Sequence, residues 1–152
     1  MEDRARMEVP SWLTLPPLSF GTTRHGKLSA DHWRTLCTVN LPVTLIRTWS
    51  VQETRRIDML RNFLNLVETV ELIGLLEISE EDIVRAETLL EQYLRTAKEL
   101  YKGSKIQPNQ HLALHLGFFL RLFGPMHSWR SFVFERFNHF LQSLNLNMKF
   151  GK

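Results

Sequence analysis

The sequence predicts an all-α protein, an irregular bundle of about five helices that follows a disordered N-terminal arm. Three observations predict this class. Apolar residues after residue 29 recur at intervals of three and four, serines that can cap helices precede some of these stretches, and no stretch alternates apolar and polar residues as a strand does. The 152 residues, of which 43% are hydrophobic and 23% charged, suit one globular domain.

The chain divides into three parts by composition. Residues 1–28 are predicted to form a flexible, proline-rich arm, because prolines and glycines interrupt any regular helix or strand there. Apolar residues of this arm could still dock onto the domain. The helical domain is predicted to span residues 29–146, and residues 147–152 are expected to be a frayed tail.

Capping and breaking residues place the first three helices. The first begins after Ser29, an N-cap residue, and Pro42 is expected to kink it near its centre because proline lacks an N–H and clashes with the carbonyl four residues back. A second helix is predicted from about residue 53 to residue 75. The third begins after Ser79, where three acidic residues meet the positive end of the helix dipole, and it ends before Gly103.

Two further helices are predicted in the C-terminal third. Pro108 opens a fourth helix, which ends at Gly124. Apolar residues occupy it almost all round, so we expect it to be the central and most buried helix. A fifth, amphipathic helix is predicted from about Ser128 to Leu144, with Phe137, Phe140 and Leu141 on its apolar side.

Several classes of protein are excluded by what the sequence lacks. The single cysteine, Cys37, cannot form an internal disulfide framework, which favours a reducing, intracellular location, with the nucleus as one candidate. The N-terminal residues do not resemble a secretory signal, and no run approaches the roughly 20 apolar residues of a membrane span, so no membrane partner is expected. Cys37 lies on an apolar helical stripe, and neither a nucleophile elbow nor a phosphate-binding glycine loop is present.

Positive charge is concentrated in the C-terminal third. From residue 100 onward there are seven lysines and arginines against one carboxylate, a net charge of +6. Such a field favours a phosphate-bearing partner such as DNA, and a solvated basic face is the alternative. The candidate nucleic-acid contacts are Lys105, Arg121, Arg130 and Arg136. No helix-turn-helix or zinc-finger signal supports base-specific readout.

Two groups of residues are candidates for metal binding. His111 and His115 lie four residues apart, so both rings face one side of a helix, as two ligands of a zinc ion do. We assign Asp31 as a candidate third ligand; histidines satisfied by hydrogen bonds are the alternative. Glu135 is the only carboxylate after Glu99 and lies among cations, where it would stay ionised and could hold a divalent cation or form a surface ion pair. Further candidate zinc ligands are His32, Cys37, His127 and His139.

An ordered set of motifs resembles a known family. The motifs are Gly26-Lys-Leu-Ser-Ala-Asp-His-Trp-Arg34 with Leu41-Pro42, Lys105-Ile-Gln-Pro-Asn-Gln-His-Leu-Ala-Leu-His115, Arg121-Leu-Phe-Gly-Pro125, Trp129, and Phe134-Glu-Arg-Phe-Asn138. Together they resemble the C-terminal helical region of fungal CACTA (En/Spm-like) transposases, a domain of unknown function that follows the RNase H-like transposase domain. The resemblance covers roughly residues 26–150.

This resemblance implies a part of a DNA-processing enzyme. Complete cut-and-paste transposases hold two Mg²⁺ ions with three carboxylates. The resemblance would place Glu135 at the third of these acids, His111 and His115 at a histidine motif before it, and Asp31 with His32 at an upstream acidic element. The chain has no strand-rich RNase H core and no first two aspartates, so we expect a transposon-derived fragment that is not an enzyme by itself.

Two functional hypotheses therefore follow. The first is a transposase-like accessory module that contributes DNA contact or packing to a larger complex. The second is a non-enzymatic helical interaction domain that docks on a partner protein or on itself, and a relic without a present role is a third possibility. The aromatic residues expected to form its docking face are Phe118, Phe119, Phe123, Phe132 and Phe134.

Overall fold

The structure is a computed structural model that describes residues 7–11, 13, 15–17, 28–51, 53–103 and 105–129. Within these ranges the regular elements are all helices and none is a strand, which confirms the all-α class. None of the described helices combines the length and the apolar character that crossing a membrane requires.

The N-terminal helical region is one nearly continuous helix with a wider turn in its middle. Helix α1, Ala30–Thr35, begins where predicted, and the Ser29 hydroxyl accepts a hydrogen bond from the His32 N–H at 3.2 Å. A π-helical segment, Leu36–Asn40, leads into α2, Leu41–Trp49. Pro42 therefore lies in the first turn of α2, where its missing N–H costs little, and the interruption predicted for it takes the form of this wider turn.

Helices α3, Thr54–Ile73, and α4, Glu80–Leu100, form the central pair. The predicted start of α4 is confirmed as a capping box: the Ser79 hydroxyl accepts from the Asp82 N–H, and the Asp82 carboxylate accepts from the Ser79 N–H. The Ser79 hydroxyl also donates to the Asp82 carboxylate at 2.6 Å, and this hydrogen bond, together with the one from the Ser79 N–H, lowers the pKa of Asp82. Gly103 has a φ of 92°, a conformation that glycine adopts without strain after the helix end.

The hydrophobic core of the described residues lies mainly between α3 and α4, and Leu36 and Leu120 are also buried in it. Its buried apolar side chains come mainly from α4, while α3 contributes Leu60 and the fully buried Asn62. The Asn62 Nδ2 donates a hydrogen bond to the Tyr93 carbonyl at 2.8 Å, so its polar group is satisfied across the helix pair. The α4 core residues are Ile83, Ala86, Leu90 and Leu94.

The fourth predicted helix differs from its prediction in two ways. It is two helices, α5, Pro108–Ala113, and α6, Leu116–Phe123, separated by a turn at Leu114 and His115. The expectation that it is the most buried helix is wrong, because only Gly117 and Leu120 of these two helices are buried. The α3–α4 pair already supplies the core, and α6 packs on α4 through one side only.

Parts of both chain ends lie outside the described residues. The described arm residues form no helix or strand, but Pro16 is fully buried and the Met7 Sδ accepts a hydrogen bond from Asn40 Nδ2 at 3.6 Å. After α6 the chain forms a 3₁₀ turn, Met126–Ser128. Beyond Trp129, the rest of the fifth predicted helix and the predicted tail lie outside the described residues.

Candidate interaction surface

Four apolar side chains of α6 face away from the core. We define the aromatic surface as Phe118, Phe119, Leu122 and Phe123, which form one broad side of the helix because residues four apart, such as Phe118 and Leu122 or Phe119 and Phe123, lie on the same side. All four are exposed, with 61% of Phe118 accessible to solvent. Taken together they present roughly 400 Å² of apolar area, within the range that marks the largest patch of a typical monomer and often a contact site.

The rings of this surface pack against one another and against Trp129. Phe119 and Phe123 stack with ring centroids 6.2 Å apart, and Phe118 meets Phe119 edge to face at 5.6 Å. The Trp129 indole lies 6.2 Å from the Phe119 ring and 6.4 Å from the Phe123 ring. Its Nε1 donates to the Gly124 carbonyl at 3.0 Å, so the surface is ordered before any partner arrives.

The opposite side of α6 is held to α4 by one arginine. The Arg121 Nη1 and Nη2 donate to the two carboxylate oxygens of Glu87 at 2.7 and 2.9 Å, and its Nε donates to Glu80 Oε1 at 2.8 Å. The hydrogen bonds from Arg121 lower the pKa of Glu87, and those to Glu87 and Glu80 raise the pKa of Arg121 further above its ordinary value. Arg121, a predicted nucleic-acid contact, thus directs its donors at two carboxylates of its own chain.

A glycine allows this close contact. Gly117 is buried one turn before Arg121, and a Cβ at this position would overlap the Glu87 carboxylate. Because Arg121 holds that carboxylate with two hydrogen bonds, it cannot move aside freely. Glycine normally weakens a helix interior, and here the close approach of α4 explains it.

Gly117→Ala is therefore expected to have opposite effects in two backgrounds. In the native chain it should lower the free energy of unfolding by about 1 kcal/mol, because the overlap exceeds the gain in helix propensity. In a Glu87→Ala background the overlap is gone, and the same change should raise the free energy by about 0.5–1 kcal/mol. Urea unfolding of the four proteins measures this, and the same sign in both backgrounds would contradict the proposed contact.

A cleft of about 260 Å³ lies between α3, α4 and the α5–α6 pair. Its walls are mainly apolar, with Ala86 and Leu90 of α4 facing Ala113 and Leu120. The sequence did not predict this cleft, because its walls come from helices that are separate in the sequence and meet only in the folded chain. Gly117 inside an otherwise strong helical stretch was the one local signal of a close approach.

The predicted histidine pair is brought together, but no third ligand accompanies it. The rings of His111 and His115 meet edge to face with centroids 5.3 Å apart, and both residues are exposed. Across the described ranges no three histidine, cysteine, aspartate or glutamate residues gather as a metal site, so Asp31 does not join the pair. His127 instead donates from Nε2 to the Gly74 carbonyl at 2.9 Å. Zinc at His111 and His115 stays a prediction.

The remaining predicted site residues are separate from this surface or outside the description. Lys105 is exposed in the linker before α5. Burial raises the pKa of the Cys37 thiol, which reduces the thiolate fraction that a nucleophile needs. The predicted acid Glu135, the predicted DNA contacts Arg130 and Arg136, the candidate ligand His139, and the aromatic residues Phe132 and Phe134 lie outside the described residues.

Comparison with protein-family models, with curated proteins and with solved structures finds no match for this chain.

Proposed function

We propose that this chain is a non-catalytic helical accessory module that acts by protein–protein packing, and that it associates with a second copy of itself through the aromatic surface. The observation that carries the proposal is the exposed, internally ordered set of rings on α6. An accessory role of this kind is compatible with the helical transposase region that the sequence resembles.

The size of the aromatic surface supports a pairwise contact. A stable interface buries about 800 Å² on each partner, with an apolar centre and a polar rim. The four side chains supply roughly half of this area as an apolar centre. The exposed His115, three residues before Phe118 and four before Phe119, is available for the rim.

The charge distribution favours a second copy over a strongly charged partner. In a two-fold contact each surface meets its own equivalent, so an uncompensated charge at the centre would face the same charge. Arg121 is the one formally charged residue of α6, and Glu80 and Glu87 compensate it on the side away from the rings. Aromatic side chains are also the residues most enriched at interface centres.

The ion pairs of Arg121 make nucleic-acid contact a less favoured hypothesis than self-association. A phosphate would have to compete with two carboxylates for the Arg121 guanidinium. Glu87 already binds it in a bidentate geometry, and Glu80 accepts a hydrogen bond from its Nε. The other described member of the predicted DNA-contact set is Lys105, which is exposed and forms none of the described ion pairs. DNA binding stays a prediction that rests on the charge of the C-terminal third.

Phe118→Asp is expected to weaken self-association by about 100-fold. The change places a charge on the most exposed ring of the surface, so that a two-fold contact brings two like charges together, and 100-fold corresponds to about 2.7 kcal/mol, a typical loss at a dominant interface residue. Sedimentation equilibrium and light scattering over about 1–200 µM protein measure the change. Val51→Asp, at an exposed apolar residue after α2, is the matched control and should leave association unchanged.

Two results would contradict the proposal. One is a native chain that stays monomeric throughout the concentration range. The other is a dimer that Phe118→Asp and Val51→Asp affect equally, because the contact would then lie elsewhere. Circular dichroism of both variants confirms that each is folded before association is compared.

A further inference from the structure

We infer that the cleft between α3, α4 and α5–α6 is a binding site for a small apolar molecule that carries an amine, such as a compact arylalkyl amine. This site is separate from the aromatic surface, since it lies on the core side of α6, and it does not depend on self-association.

The size and the walls of the cleft fit a single small hydrocarbon group. Nine of the twelve described residues that line it are apolar, and the buried side chains Ile83, Ala86, Leu90 and Leu120 are among them. An apolar cavity of about 150 Å³ stays dry and binds benzene, so a cleft of about 260 Å³ has room for roughly ten non-hydrogen atoms. Burying such a group gains about 25 cal/mol for each Å² of apolar area removed from water.

The cleft is open because a small side chain lines it, and one of its walls is held in place by hydrogen bonds. Ala113, the last residue of α5, faces it with one methyl group, where a larger residue would fill the space. On the α4 side the Glu87 carboxylate is held by Arg121 and by the close approach of Gly117. A site whose wall is already fixed loses less conformational entropy when a ligand binds.

Electrostatics decide the charge of the ligand. Among the described residues, the ionisable side chains that line the cleft are Glu87 and Glu91, one helical turn apart on α4, and none of the described lysines, arginines or histidines lines it. Glu87 is engaged with Arg121, whereas Glu91 pairs with the exposed Arg95 of its own helix at 2.5 Å. Such an exposed pair contributes little, so an ammonium group can take the place of Arg95, while a carboxylate would meet the like charge of Glu91.

Three probes with the same phenyl group test the inference. They are 2-phenylethylamine, 2-phenylethanol and phenylacetate, titrated into the full chain up to about 10 mM and followed by NMR shifts of the Ala86 and Ala113 methyl groups. We expect the amine to bind about 5–10-fold more tightly than the alcohol, and phenylacetate at least tenfold more weakly than the alcohol. Equal binding of the acid and the amine, or no binding of the amine, would overturn the inference.

Two variants locate the binding. Ala113→Leu fills the cleft and should abolish binding of all three probes, with the shifts then followed at Ala86. Glu91→Gln, at an exposed position where the fold is not at risk, should lower the affinity of the amine to about that of the alcohol. An amine preference that survives Glu91→Gln would show that Glu91 does not recognise the ammonium group.

Discussion

Asn62→Asp is expected to lower the free energy of unfolding by about 3–5 kcal/mol at pH 7. Asn62 is 1% exposed, and its Nδ2 donates to the Tyr93 carbonyl. An ionised carboxylate there has no proton to donate, would face that carbonyl oxygen, and would be buried without a partner charge. Urea unfolding at pH 7 measures the loss.

The same variant should depend on pH in a way that identifies the cause. Burial disfavours the charged form, so the pKa of Asp at position 62 should be higher in the folded chain than its value of about 3.9 in the unfolded chain. The protonated carboxyl can donate to the Tyr93 carbonyl, so the difference from the native chain is small below the unfolded pKa. Above it the difference grows by about 1.4 kcal/mol per pH unit until the folded pKa is reached.

Asn109→Asp is the matched control for this substitution. Asn109 is exposed in the first turn of α5, where a negative charge meets the positive end of the helix dipole, so its effect should stay below about 0.5 kcal/mol. A difference between Asn62→Asp and the native chain that does not change between pH 4 and pH 8 would contradict burial of Asn62.

Leu120→Ala and Leu122→Ala should differ strongly although both change the same residue type on the same helix. Leu120 is 2% exposed and lies against α4, so its truncation leaves a cavity and should cost about 2–5 kcal/mol. Leu122 is 59% exposed, and its truncation should cost less than about 1 kcal/mol. Unfolding measured at about 1 µM protein avoids a contribution from self-association.

This pair of variants tests the burial of α6 directly. Equal, large losses would mean that α6 is surrounded by apolar contacts on all sides, as its sequence alone predicts. A large loss at Leu120 only would agree with one buried side and an aromatic surface that is free in the monomer.

Local patterns in the sequence predicted the helices well where short-range interactions decide them. The N-caps at Ser29 and Ser79 and the turn at Gly103 follow from hydrogen bonds and backbone preferences that span only three or four residues. The proximity of His111 and His115 was predictable for a related reason, because the backbone stays in the right-handed helical region through the turn that separates α5 from α6.

The burial of a helix was not predictable from its own composition. Apolar residues around all sides of the segment from Pro108 to Phe123 indicated a central helix, but which helix is central depends on which helices pack together first in space. The α3–α4 pair forms the core through α4 residues such as Leu90, and this leaves one side of α6 exposed.

The sequence by itself determined the helical class, most helix boundaries and the neighbouring histidines, since all of these depend on residues a few positions apart. Only the tertiary structure decided the partners of Arg121, which lie 34 and 41 residues away at Glu87 and Glu80, and with them the direction of the aromatic surface and the presence of the cleft. The physical reason is that ion pairs, close approaches and burial depend on distances in space, and a periodic pattern along one helix carries no record of the helix that it will face.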